Sequence, residues 1–337
     1  MKLYDNTKVL NVTDRLRIIG ILLVVSCHCC HLLSSKNYSL YSRYLSGFMN
    51  SIGTLGVVLF FIISGYFFAG TVYSFLSFWK RKVKTLLIPW ILTAILVYLW
   101  GTIRKGGFSV VVMGYEIIGF SSYTWYLSVL CFCYLIMWPI RDSIWAIGII
   151  GVFSFSFACL YNAGLLGISF PQLGNVLPLN WLCYFCFGMI INRVGIPVLP
   201  RWIGVALFSI VVSITIWLTY KGLTVSYGKS FFPIYALVGS VSIVLSVLPI
   251  TCTRNDIVHR FADSTFSIYL LHMPVAGVIA KLFNMLFYSP IILRVFLCVL
   301  ISFCFIEMIH WVATRVGLGH IIETCIGYRK RRIDVKT

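Results

Sequence analysis

Charge is what this chain most lacks. Only 11% of its 337 residues are charged, and only nine are acidic. A soluble domain is roughly one-quarter charged and under half apolar; here 60% of residues are apolar and the mean hydropathy is +0.95. A soluble fold of this size has no interior large enough to hide so much apolar surface, so lipid must solvate most of it. Polar–apolar alternation is also missing. Strands of a membrane barrel alternate over about ten residues, whereas Ile18–Cys27, Val57–Ala69 and Ile203–Leu218 are near-continuous apolar runs. Backbone groups in lipid must be paired within their own segment, so these runs are helices. There is no internal repeat, no low-complexity tract and no cleavable leader: the first apolar run follows a polar segment without a small-residue cleavage site, and it reads as a retained span. About 20 residues follow Arg315, too few for a further soluble domain. Residues 1–337 therefore read as one membrane domain.

A span needs about 20 apolar residues. The sequence predicts an all-α polytopic transmembrane bundle of about ten spans, near 16–34, 49–77, 85–103, 123–140, 143–161, 178–192, 201–220, 230–250, 264–285 and 289–316. The stretch 107–121, apolar but short and containing Glu116, reads as a re-entrant or surface helix. The net charge of +18 invites a nucleic-acid reading, but the positions of the charges exclude it. With the N-terminus in the cytoplasm, nineteen of the 27 Lys and Arg fall in inside segments and eight outside. This is the positive-inside pattern, and it places both termini in the cytoplasm and the protein in the cell (cytoplasmic) membrane. The twelve cysteines mostly lie inside apolar runs, where cysteine acts as a small hydrophobe. Neither Cys183–Cys186 nor the cluster Cys27–His31 is read as a metal or redox site, since adjacent residues on a helix point around its axis.

Ionisable residues inside spans are costly and are functional candidates by default. Asp14, Arg17, His28 and His31 share one stripe of the first span: eleven steps bring His28 to within about 20° of Arg17, and about 16 Å along the helix. A stripe that deep must face other helices or a wet cavity. The plain alternative is a buried histidine satisfied by a carbonyl, with Asp14 and Arg17 as an interfacial pair. His272 lies in the ninth span, about 12 Å from its cytoplasmic end, and Glu307 lies deep in the tenth; alone, each is readily a packed polar residue. The run Lys80, Arg81, Lys82, Lys84 bounds spans two and three. It serves either topology and lipid headgroups or the phosphates of a cytosolic ligand. Ser64 and Gly65, small residues in a bulky run, serve either close helix packing or a gap for a flexible ligand arm.

In order along the chain, Asp14-Arg15-Leu16-Arg17 with Val24 and His28, the run Gly56–Tyr66 ending Phe60-Phe61-Ile62-Ile63-Ser64-Gly65-Tyr66, the basic loop Phe78–Trp90, Trp125-Tyr126-Leu127 with Tyr134 and Pro139, Phe185–Met189, Ser267–His272 and Glu307 resemble the motifs of the acyltransferase 3 family of integral membrane acyltransferases. Gly20 stands where that family usually has alanine, and Thr85 where a third basic residue is common. The fused extracytoplasmic domain of some relatives is absent. The resemblance implies transfer of an acyl group, usually acetyl, from an acyl-coenzyme A to a hydroxyl of a cell-surface polysaccharide or lipid-linked glycan. The donor is a substrate; no permanently bound cofactor or metal is implied. In that reading His28 is the general base, or a transient acyl carrier, with Asp14, Arg17, His272 and Glu307 completing the catalytic set. Arg81, Lys82, Lys84 and Lys80, with Ser64 and Gly65, hold the donor. The partners are the donor, the glycan acceptor and the bilayer, and the sequence is compatible with a homo-oligomer. The rival expectation is a transporter or flippase of a lipid-linked glycan or acyl donor, because buried ionisable residues suit transport as well.

Overall fold

The computed structural model describes residues 6–31, 40–119, 122–167, 174–195, 199–225, 228–249, 255–286 and 291–328. Thirteen α-helices and no strands occur among them: α1 (Asn6–His31), α2 (Leu40–Ala69), α3 (Phe75–Lys82), α4 (Ile88–Lys105), α5 (Val110–Ile118), α6 (Trp125–Met137), α7 (Ile144–Asn162), α8 (Leu182–Val194), α9 (Arg201–Tyr220), α10 (Phe232–Val247), α11 (Asp256–Leu286), α12 (Ile291–Arg315) and α13 (Gly319–Ile326). Each of the ten predicted segments overlaps a helix, the segment 49–77 taking in the end of α2 and the start of α3. Six helical stretches, Arg43–Ala69, Phe75–Ile103, Ile144–Asn162, Arg201–Tyr220, Asp256–Phe283 and Ile291–Arg315, are long and apolar enough to cross a membrane. Three more, α6, α8 and α10, are apolar but shorter. The outward faces of the bundle carry bulky apolar side chains, with Phe153, Trp217 and Phe296 each more than half exposed. Water would make such faces costly; lipid makes them neutral.

The core is built around α2. It crosses α1 at glycines: a Cβ on Gly56 would run into the Gly20 carbonyl oxygen and Val24, and one on Gly53 into the Leu23 carbonyl oxygen and Cys27. It meets α8 in the same way, Gly65 against the Phe185 carbonyl and Gly188 against the Ile62 carbonyl. Lipid gives helices no hydrophobic reason to associate, so close backbone approach through small residues is what holds them. Interlocked rings fill the rest. Phe61 stacks on Trp181 at 5.6 Å and meets Tyr126 edge-on at 4.7 Å, and Phe68 lies 5.3–5.9 Å from Tyr134, Trp138, Phe78 and Phe185.

Three boundaries differ from the sequence expectation. The predicted second span runs on to residue 77, but α2 stops at Ala69, and Ser74 starts α3. A five-residue π-turn, Val83–Leu87, then joins α3 to α4 ahead of Pro89. The ninth helix was expected to start at residue 264 and instead begins at Asp256, where the Asn255 carboxamide accepts from the Ile257 N–H at 2.9 Å. Among the described residues 107–119 the chain forms the nine-residue α5, clamped to α4 by Tyr98, whose hydroxyl donates to the Ser109 carbonyl at 2.8 Å and accepts from the Ser109 N–H at 2.7 Å. Its Val110, Val111 and Val112 are exposed, and its length is too short to span.

Side-chain bridges align one end of the bundle. Arg193 of α8 pairs with Asp142 at 3.1 Å, and Arg141 donates to the Tyr73 carbonyl at 3.4 Å. This end, which also holds the start of α1, α3 and the start of α11, is called the basic end below.

Gly65→Val should force α2 from α8, because the added carbons meet backbone rather than a movable side chain. The expected cost is about 2 kcal/mol, read as a lower thermal midpoint of detergent-purified protein. Gly101→Ala, with nothing within 4 Å of the added carbon, should leave the midpoint in place.

Candidate functional site

His28 and His272 come together. Their ring centroids lie 5.0 Å apart, although α1 and α11 are separated by most of the chain. Tyr123 stands over both, 6.5 Å from His28 and 5.1 Å from His272. The arrangement follows from Pro274. Proline has no N–H, so the Leu270 carbonyl, four residues back, loses its helical donor. The Tyr123 hydroxyl donates to that carbonyl at 2.6 Å, and Tyr269 returns a hydrogen bond to the Tyr123 carbonyl at 2.5 Å. The His272 Nδ1 lies 2.5 Å from the Tyr269 carbonyl oxygen, which can only accept. The neutral ring therefore carries its proton on Nδ1 and keeps a lone pair on Nε2. Nε2 is buried and has no hydrogen-bond partner among the described residues. Cys298 Sγ donates to the His272 carbonyl at 3.3 Å, and Cys27 Sγ to Asn50 at 3.0 Å. No group of three His, Cys, Asp or Glu able to hold a metal occurs among the described residues.

A cavity of about 650 Å³ opens at the basic end. Its mouth is lined by Arg17, Arg81, Lys82 and Asp263, and its inner wall by Ser64, Tyr126 and Tyr269. The Ser64 and Tyr126 hydroxyls share a hydrogen bond at 3.3 Å. The ring of Tyr126 is 5.9 Å from Tyr269, and that of Tyr269 is 5.6 Å from His272. One layer of tyrosine thus separates the cavity from the histidine pair. Aromatic groups prop the cations. Arg81 donates to the Tyr73 hydroxyl at 2.5 Å and lies over its ring, and Lys82 donates to the Tyr134 hydroxyl at 3.0 Å. Among the described residues no carboxylate pairs with Arg81.

The other candidates lie elsewhere. Lys80 and Lys84 are exposed and do not line the cavity. Gly65 faces α8, where its missing side chain is needed for packing; only its neighbour Ser64 faces the cavity. Asp14 is buried at the start of α1, 3.8 Å from Arg17, with Arg17 lying over Phe67. His31 ends α1, and its side chain lies outside the described residues, as does the basic tail Arg329–Lys336. With α11 beginning at Asp256, His272 sits sixteen residues, about 24 Å, from the start of its helix. Glu307 does not join the histidines. It pairs with Arg260 at 2.5 Å and accepts from the Tyr328 hydroxyl at 3.0 Å. Arg260 lies twelve residues, about 18 Å, before His272 on α11, so Glu307 belongs to the basic end.

Sequence reading missed His259 and Asp263, because it left 256–263 in a loop. His259 Nδ1 is 2.7 Å from Asp14, and Nε2 is 3.6 Å from Asp263. It also missed Tyr123 and Tyr328. Pro274, two residues after His272, was the available signal for Tyr123, since a freed carbonyl in a membrane must find a donor. Tyr328 stacks near His310 at 4.7 Å, and burial, with the Glu307 carboxylate beside it, pushes its phenol above the ordinary tyrosine range. The preceding Gly327, at φ +71°, lines the cavity and abuts the Phe266 ring.

An all-helical bundle with long apolar helices, bulky apolar outer faces and a basic cavity beside a histidine pair defines a multi-pass membrane protein. The acyltransferase domain of the acyltransferase 3 family matches residues 12–309, and the chain belongs to that family of membrane acyltransferases. No curated protein and no solved structure matches it.

Tyr328→Phe keeps the ring and removes one hydrogen bond to a carboxylate. It should cost about 1 kcal/mol and loosen the C-terminal wall of the cavity, measured as faster proteolysis after α13 and a small drop in thermal midpoint.

Proposed function

We propose that the protein is an O-acyltransferase of the cell (cytoplasmic) membrane. It moves an acyl group, acetyl in the simplest case, from acyl-coenzyme A to a hydroxyl of a cell-surface polysaccharide or its lipid-linked precursor. The observation that carries this reading is the juxtaposition of a basic cavity with a paired-histidine site one tyrosine layer further in. Arg and Lys at a cavity mouth suit the phosphates of coenzyme A, and the charge bias along the chain puts this end in the cytosol. About ten spans with both termini inside complete the topology.

An alcohol is a poor nucleophile until a base takes its proton. His28 removes the acceptor's hydroxyl proton as the oxygen attacks the thioester carbonyl carbon. The carbon–sulfur bond then breaks, coenzyme A leaves as the thiolate, and the proton returns to that sulfur. His272, whose ring lies 5.0 Å from that of His28, orients or relays that proton. Tyr123 fixes the geometry of His272. Lys82, Arg81 and Arg17 bind and orient the donor, with Ser64 and Tyr126 along the path of its arm.

His28→Ala should reduce acyl transfer in membranes by at least about 100-fold while the protein stays inserted; a wild-type rate would overturn the role. Lys82→Met should raise the donor KM about tenfold, the worth of one partly desolvated phosphate contact, and Lys84→Met should leave it within about twofold. Mass spectrometry of surface glycans with and without the gene tests the reaction itself. An acyl group that vanishes with the gene supports transfer, and a glycan that fails to reach the surface supports a flippase.

A further inference from the structure

A second cavity, of about 240 Å³, lies between the last turns of α8 and α10. Ile190, Ile191 and Val194 of α8 face Val241, Val244 and Leu245 of α10 across it, and no side chain in its lining can form a hydrogen bond. It is smaller than the pockets that take drug-sized ligands, and such a lining does not suit a sugar or a nucleotide. The groove opens outward. Val194 is exposed, and on α10 the exposed Ile234 and Val238 continue the stripe of Val241 and Leu245 at helical spacing. In a membrane that face meets hydrocarbon. An apolar crevice that nothing fills forfeits dispersion contacts, and the chain of a neighbouring lipid supplies them. Those contacts do not discriminate, because lipid tails are as apolar as the groove. Selectivity must come from the polar end of the lipid.

That end is set by α9. Gly204 packs directly on α10: an added Cβ would lie 2.4 Å from the Ser246 nitrogen and 2.7 Å from the Leu245 carbonyl carbon. Arg201 stands three residues earlier, about 4.5 Å further along the axis, so its backbone lies just beyond Leu245 at one end of the groove. Arg193, next to Val194, is held by Asp142 at 3.1 Å at the basic end of the bundle. Arg201, by contrast, is exposed and makes no ion pair among the described residues. The adjacent Trp202 is 69% exposed at the very start of a membrane-long helix, the position where tryptophan marks the headgroup layer. A cation at headgroup level thus stands at the mouth of a tail-lined groove.

We propose that this is a binding site for one anionic phospholipid, with an acyl chain in the α8–α10 groove and the phosphate on Arg201. The site is separate from the basic cavity, and it requires no particular reaction of the protein. A cation at the membrane surface favours an anionic lipid by about fivefold.

The test is native mass spectrometry of the full chain in detergent, with phosphatidylglycerol and phosphatidylcholine of matched chains in equal amounts. Wild type should retain one phosphatidylglycerol per chain, about fivefold over phosphatidylcholine. Arg201→Gln should bring that preference to within about twofold, and Arg201→Lys should keep it. Val241→Trp, which fills the groove, should cut retention of both lipids at least about fivefold. No preference in wild type, or a preference that survives Arg201→Gln, overturns the proposal. Unchanged retention in folded Val241→Trp overturns it as well. If Val241→Trp does not fold, the two Arg201 variants decide, since an exposed side chain is replaced without loss of packing. Soluble glycerol phosphate, added in tenfold excess, should leave the retained lipid in place; displacement would mean a site for free phosphate and overturn the lipid. A groove covered by a second copy of the chain would show as a dimer that Val241→Trp dissociates with lipid retention unmoved, and that result also overturns it.

Discussion

Hydrocarbon offers a polar side chain nothing to bond with, so a polar group on one of these helices must be answered by a carbonyl of its own helix or by another part of the chain. That constraint organises the molecule. Ser51 of α2 accepts from the Val225 N–H at 2.9 Å, Thr215 of α9 meets Tyr235 of α10 at 3.0 Å, and Asn162 at the end of α7 accepts from Gly228 at 2.8 Å. The same rule gathers the ionisable residues. His28 of α1 meets His272 of α11 at 5.0 Å, and Asp14 of α1 meets His259 of α11 at 2.7 Å.

Close helix contact makes this possible. Where α1, α2 and α8 cross at glycine, their backbones approach nearly to touching, and side chains a few residues away come within hydrogen-bonding reach. Gly65 and Ser64 show the division of labour. One of two adjacent residues seals α2 against α8, and the other opens onto the cavity.

Much of this was legible in the sequence. Apolar runs located the helices, and the stripe Asp14–Arg17–His28 predicted a polar face pointing inward, which is where the structure puts it. What sequence could not supply was partnership across helices. Glu307 looked like a member of the deep site because its position in the last span was deep by count. Its partners Arg260 and Tyr328 come from elements whose approach depends on three-dimensional packing, and they hold it at the basic end. Lys84 looked equivalent to Lys82, but it falls in a π-turn, and that irregularity has no signature in hydropathy. His259 was hidden for a different reason: a helix that continues past the apolar run into polar residues looks like a loop when only hydrophobicity is read.

Arg17 and His28 sit on one rigid helix, eleven residues apart. On the proposed chemistry this fixed offset makes the reaction directional. The polyanionic carrier stays at the level of the basic cavity, and only the uncharged acyl group passes inward. Membrane potential acts on charge, so it neither assists nor opposes that displacement. The free energy of thioester cleavage then serves both as the driving force for bond exchange and as the force that carries cargo into the layer. No ion gradient and no separate carrier cycle would be needed to move an acyl group away from the cytosolic pool.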